Sequence, residues 1–139
     1  LGTYVDHDTV EGFVKILAEK DDSRGITNAP NEIRKIYEKI LCVCLDRIPG
    51  ATQYLDDSRS TLLGTQIINW LRDQGQIKTI HSQFLFAIRT ISNELSHTHH
   101  EHPTTDAINA LVYMLKEMII WCDGICRKYS QNRNALKPK

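Results

Sequence analysis

Three polar residues, Arg89, Asn93 and His97, follow one another at steps of four in this sequence. Residues four apart are neighbours on the surface of an α-helix, so the three form one row if the segment is helical. Arginine offers a planar fork of donors to a phosphate, and histidine can move a proton near neutral pH. With an asparagine to orient either group, the row can hold an RNA phosphate and assist attack by the 2′-hydroxyl without a metal. It therefore suggests a catalytic site for RNA cleavage.

The same row also has a purely structural interpretation. Arg89 can be a solvated surface charge, and His97 can interact favourably with the C-terminal end of a helix dipole. Helices often carry polar rows of this kind, so the spacing alone favours the structural interpretation.

The helix that must position the row is predicted to run from about Ile77 to His97. Its apolar residues recur at steps of three and four and form one inward stripe. The stripe consists of Ile77, Ile80, Phe84, Ile88, Ile91 and Leu95. The polar row is then expected on the opposite side, where Phe86 accompanies Arg89 and suggests that something covers that surface.

The rest of the chain shows helical periodicity and no strand-like alternation. We predict a first helix from about Asp8 to Lys20, and a second from a cap at Asn28, with Pro30 in its first turn, to about Ile48. A third is predicted from about Ser60 to Gln74, with Gly75 ending it. A last helix begins after a cap at Thr104 or Thr105 and reaches about Tyr129.

These elements predict an all-α fold, a four-helix bundle with an additional N-terminal helix. We expect one domain over residues 1–129 and a basic, disordered tail over 130–139. Apolar residues nearly encircle the last helix, which favours burial by the bundle on one side and by a second subunit on the other. A homodimer is therefore expected.

The composition of the chain disfavours several classes of function. The chain has 139 residues, 41% of them hydrophobic, and a formal net charge of zero. A general nucleic-acid binder is usually more basic, so binding of RNA or DNA would need a local site. The start of the chain has no basic, apolar leader, and no segment is apolar enough to cross a membrane. Four cysteines without a leader favour reduced thiols in a cytoplasmic protein.

The segments "IRTISNELSH" and "TTDAINALVYMLKEMI" resemble HEPN-type helical domains, in particular those attached to type I restriction-enzyme subunits and other prokaryotic defence proteins. There the pattern is roughly Leu-Arg-x-Ile-Gly-Asn-x-x-x-His, which corresponds here to Ile88, Arg89, Ile91, Ser92, Asn93 and His97. Upstream, "IRKIYEKILCVCL" with Arg34 and Glu38, and "LLGTQIINWLRDQGQI", are similar to the preceding helices. The resemblance covers about Glu32 to Ile120.

The resemblance implies a helical bundle that dimerises, and in nuclease members a metal-independent cleavage of RNA. In those members an arginine lies five residues before the histidine, and Ser92 occupies that position here. We therefore expect an interaction or dimerisation module of a prokaryotic defence or toxin-type system, which recognises a nucleic acid or a protein partner. The alternative is an endoribonuclease that uses Arg89, Asn93 and His97.

A histidine-rich loop follows the row, with His99, His100, Glu101 and His102 after His97. Zinc sites usually take their ligands from two separated pairs, so this loop would need a second pair such as Cys122 and Cys126. We expect no metal and no other cofactor; a zinc site and a pH-sensitive loop are the alternatives. Cys42 and Cys44 are predicted to be small core residues.

Overall fold

The computed structural model describes residues 7–19, 21, 23–51, 64–97 and 104–134, and it omits the side chains of residues 23–27, 96 and 97. The described residues form five α-helices and no strand, which confirms the all-α prediction. The helices are α1 (His7–Glu19), α2 (Ser23–Arg47), α3 (Thr65–Asp73), α4 (Thr79–His97) and α5 (Thr105–Lys128). The predicted loop after Gly50, the start of the third helix, residues 98–103 of the histidine-rich loop and the last five residues of the tail lie outside the described residues.

Helix α2 begins earlier than the sequence predicted. We expected a loop up to Asn28, but the helix starts at Ser23 and contains both Gly25 and Pro30. A proline inside a helix removes its own N–H bond and strains the preceding turn, which tertiary packing can offset. Here Pro30 and its neighbour Ala29 are buried, so this turn packs into the protein interior.

Helix α2 is the centre of the fold. It packs against α1, α4 and α5, while α4 also packs against α3 and α5. Several of its side chains are completely or almost completely buried: Ile33, Ile40, Leu41, Cys44 and Leu45. Burial of large apolar side chains on this scale is the main force holding the helices together.

Helix α3 ends where Gly75 was predicted to stop it. Gly75 has a φ of +70°, which is the left-handed conformation that glycine adopts without strain. The Gln76 amide donates to the Leu71 carbonyl at 2.9 Å, and the Gly75 amide donates to that of Arg72 at 3.0 Å. These two bonds form a Schellman motif, which fixes the direction in which the chain leaves for α4.

Helix α5 starts with a side-chain cap. The Thr104 hydroxyl accepts a hydrogen bond from the Ala107 amide at 3.1 Å, so Thr104, rather than Thr105, is the capping residue. The inner face of α5 is broad, and buried side chains occur along almost its whole length. They include Ile108, Leu111, Val112, Leu115, Met118, Ile119, Cys122, Ile125 and Cys126.

The chain after α5 is bound to the end of α2 as far as Asn134. The Asn134 side chain donates to the carbonyls of Leu45 and Ile48, at 2.9 and 2.6 Å. Arg133 forms an ion pair with Asp46 at 2.8 Å. Residues 130–134, which we expected in a disordered tail, thus cap the last turn of α2 with polar groups from a distant segment.

Candidate functional site

The buried face of α4 differs from the predicted stripe. Ile88 is fully buried as expected, but Ile80 is 60% exposed and Ile91 is 37% exposed. Leu85 and Ser92 take their place in the core, together with Ser82. The buried face of the helix is therefore shifted around the helix axis from the predicted stripe toward Leu85 and Ser92. Packing against α2 and α5 decides which face is buried.

The two buried serines of α4 are satisfied within the helix. The Ser92 hydroxyl donates to the Ile88 carbonyl, and the Ser82 hydroxyl donates to the Thr79 carbonyl. A hydroxyl that bonds back to its own helix can enter a core without an unpaired polar group. Small polar residues beside an apolar stripe can thus be core residues. We did not predict the burial of Ser82 and Ser92 from the sequence.

The rotation changes the position of the polar row. Arg89 follows Ile88 and lies one turn after Leu85, so it is half-buried at the edge of the core face. Asn93 is exposed on the next turn. The prediction that the row lies opposite the apolar stripe is therefore wrong for Arg89. His97 is the last residue of α4, and its side chain lies outside the described residues.

Arg89 lies close enough to Tyr37 of α2 for its charge to affect the phenol. Tyr37 is almost fully buried, and this burial raises the pKa of its phenol well above the ordinary value. The positive charge of Arg89 opposes that rise, and the negative charge of Glu38, the next residue along α2, adds to it. The packing of α2 against α4 therefore brings Arg89 into the neighbourhood of Tyr37.

A second ionic group of α2 joins this neighbourhood. Arg34 Nε lies 3.9 Å from Glu38 Oε1, and both side chains are more than one-third exposed. An exposed pair at this distance contributes little to stability. The two sequence motifs, Arg34–Glu38 and Arg89, thus lie on two helices that pack against each other.

The buried thiols form another cluster, between α2 and α5. Cys44, Cys122 and Cys126 are buried, and the Cys122 thiol lies 3.7 Å from the Ile40 carbonyl as a donor. Burial raises the pKa of the Cys44 thiol, and the hydrogen bond with Cys122 raises that of Cys126. Raised pKa values of this kind are typical of thiols that are packed into an apolar interior.

No metal-binding group of three or more suitable side chains occurs among the described residues. This statement does not extend to residues 98–103, so the predicted histidine-rich loop lies outside it. Cys42 is half-buried and Cys44 is buried, which agrees with their predicted packing role.

The second candidate surface is the outer side of α5, which we expected to be largely apolar; the charged residues Lys116 and Glu117 are also exposed there. Tyr113 is 71% exposed and Ile120 is 48% exposed on this side. Tyr113 borders a groove of about 520 Å³ between α1 and α5, lined chiefly by Val10, Phe13, Val14, Leu17 and Val112. On its other flank, Phe84, Met114 and Ile120 line a depression of about 270 Å³. Large exposed apolar side chains beside grooves are typical of binding surfaces.

Comparisons with known protein families, curated proteins and solved structures find no match to this chain. None of the described helices is both long and apolar enough to cross a membrane. The function must therefore be inferred from the two surfaces themselves.

Proposed function

We propose that this chain is a HEPN-like four-helix interaction and dimerisation module of a prokaryotic defence or toxin-type system, and that it binds a protein partner rather than cleaving RNA. The observation that carries the proposal is the position of Ser92. In the nuclease members of the family that this chain resembles, an arginine occupies that place. Here the side chain is fully buried and bonded to its own helix. No phosphate can be contacted from that position.

The environment of Arg89 supports the same conclusion. Arg89 is half-buried at the edge of the packed face of α4, close enough to Tyr37 of α2 for its charge to affect the phenol. Asn93 is exposed, one turn further along α4. An arginine that is partly enclosed by its own fold is less free to offer its planar fork of donors to a phosphate than one that is fully exposed.

The choice of a protein partner follows from the surface chemistry. Nucleic-acid binding needs a concentration of positive charge, whereas the formal net charge is zero. Beside their charged residues, the exposed surfaces of α1 and α5 carry large apolar or aromatic side chains: Val14, Leu17, Tyr113 and Ile120. Aromatic and aliphatic anchors of this kind dominate the binding energy of protein interfaces.

The test is RNA cleavage by the wild type and His97→Ala in excess EDTA, with several unstructured and hairpin RNAs. We expect no cleavage by either protein. His81→Ala is the matched control, because it removes a half-buried histidine at the other end of the same helix. Cleavage by the wild type and by His81→Ala, abolished in His97→Ala, would overturn the proposal in favour of the endoribonuclease that uses Arg89, Asn93 and His97.

A further inference from the structure

The groove between α1 and α5 has the size and the enclosed floor of a small-molecule site. Both helices pack against α2, and a space of about 520 Å³ remains between them. Phe13 and Val112 border this space and are almost fully buried, so they form its floor, whereas Val14 and Leu17 are exposed and form its rim on α1. Pockets that hold small organic molecules have volumes of roughly 300–1,000 Å³.

The two walls of the groove differ in their chemistry. Every side chain of α1 that lines the groove is apolar. On α5, Asn109, Tyr113 and Lys116 line it at steps of four and three, and each carries a hydrogen-bonding group. None of these three side chains forms a hydrogen bond or an ion pair with another described residue. An apolar groove with a few polar groups that are open to a ligand is the usual composition of a binding site.

Lys116 determines the charge of the groove. It is the only charged residue among the described residues that line this space, and the neighbouring Glu117 lines the hollows on the α4 side of the helix instead. Asn109 lies two helical turns away from Lys116, about 10 Å along the axis. The positive charge is therefore confined to one end of an apolar groove, which is complementary to an apolar molecule with an anionic group at one end.

The charge of Lys116 also indicates the kind of anion. A single ammonium group balances one negative charge, as a carboxylate carries, whereas a phosphate monoester carries nearly two at neutral pH. Hydrogen bonds between an ammonium and a carboxylate are among the stronger ones in proteins. The Tyr113 hydroxyl, one turn before Lys116 on the same side of α5, is a second donor for the carboxylate.

We propose that the groove between α1 and α5 binds a small amphipathic carboxylate, a single apolar chain whose carboxylate is held by Lys116. The chain lies along the apolar wall of α1 and covers Phe13 and Val112. This site goes beyond the proposed function, because its ligand is a small molecule and not a protein.

The experiment uses decanoate as the probe, titrated into the full chain below the concentration at which it forms micelles and measured by calorimetry. We expect saturable binding of one decanoate per chain, with a dissociation constant below about 1 mM. Octanoate has a shorter chain and should bind roughly fourfold more weakly, because each methylene that is half-buried contributes about a factor of two. Decyltrimethylammonium has the same apolar chain and the opposite charge, and it should bind at least about tenfold more weakly than decanoate.

Two substitutions test the two parts of the site. Lys116→Glu replaces attraction by repulsion, so it should weaken decanoate binding by at least about tenfold. Lys35→Glu is its control, because it makes the same change of net charge at a side chain of α2 that is 64% exposed. Val14→Asp places a carboxylate on the rim and should also weaken decanoate binding by at least about tenfold. Its control is Ile80→Asp, at an exposed residue of α4 outside the groove.

Binding that does not saturate, or that is weaker than the stated limit, would overturn the site. Equal binding of decanoate and decyltrimethylammonium would do the same, as would a Lys116→Glu protein that binds decanoate like the wild type. Amide chemical shifts of isotope-labelled protein locate the ligand independently, and decanoate should change those of Val14, Val112 and Lys116. Changes confined to Phe84 and Ile120 would place the ligand on the α4 side and contradict the proposal. Neither measurement involves a partner protein or RNA, so its outcome is separate from that of the proposed function.

Discussion

Helices α4 and α5 lie against each other and use their side chains in opposite ways. On α4, the small polar residues Ser82 and Ser92 enter the core, and Arg89, the residue best suited to bind a phosphate, is half-buried. On α5, the inner face is apolar, and a large aromatic and a large aliphatic side chain remain on the outside. Of the residues that suggested chemistry, Arg89 is thus partly engaged in packing, while Tyr113 and Ile120 of α5 are exposed and available for binding. Function in this molecule is better sought on α5 than on α4.

The largest effect is expected when a charge is placed on the buried side of α4 and compared with the same charge on its exposed side. Ile88→Asp buries a carboxylate in a fully enclosed position, so we expect a loss of at least about 4 kcal/mol in the free energy of unfolding. Ile80→Asp changes an exposed side chain and should cost less than about 1 kcal/mol. Urea denaturation followed by circular dichroism measures both.

These two variants also separate the predicted stripe from the observed one. The stripe read from the sequence places Ile80 and Ile88 on the same buried face, so it requires similar, large losses for both. Equal losses would show that the buried face of α4 is the predicted one and that Arg89 is exposed after all.

The sequence predicted the existence of each described helix well, because the three-and-four spacing of apolar residues is strong along this chain. It also located the ends at Gly75 and at the threonines before α5, where glycine and hydroxyl side chains have specific local roles. It did not predict the rotation of α4. Leu85 and Phe86 of that helix are apolar but lie outside the predicted stripe, so the pattern does not select one face, and the contacts with α2 and α5 do.

Two other features of the fold depend on contacts between residues far apart in the sequence, so the local spacing of apolar and polar residues could not predict them. The polar segment 130–134 has no periodicity of its own, and it is ordered because the Asn134 side chain bonds to carbonyls at the end of α2. The closeness of Tyr37 to Arg89 joins residues of two helices, which a single sequence does not reveal.

A smaller effect is expected when the missing arginine of the nuclease pattern is introduced. Ser92→Arg replaces a fully buried serine by a long charged side chain, and we expect a loss of about 3 kcal/mol in the free energy of unfolding and no gain of RNA cleavage. Thr90→Arg is the matched control, because Thr90 is exposed on the same helix. Thermal unfolding and an RNA cleavage assay are run on the same samples. A stable, cleaving Ser92→Arg protein would mean that α4 can turn this position outward.

The smallest effect is expected at the N-terminal cap of α5, where substitutions of two adjacent threonines should change the free energy of unfolding by different amounts. Thr104→Ala removes the hydroxyl that accepts a hydrogen bond from the Ala107 amide, and loss of such a cap costs about 1 kcal/mol. Thr105→Ala alters an exposed residue within the first turn and should change the free energy of unfolding by less than about 0.5 kcal/mol. Chemical denaturation at a concentration where both variants share one oligomeric state gives the two values. An equal loss in both threonine variants would show that the cap does not fix the start of α5.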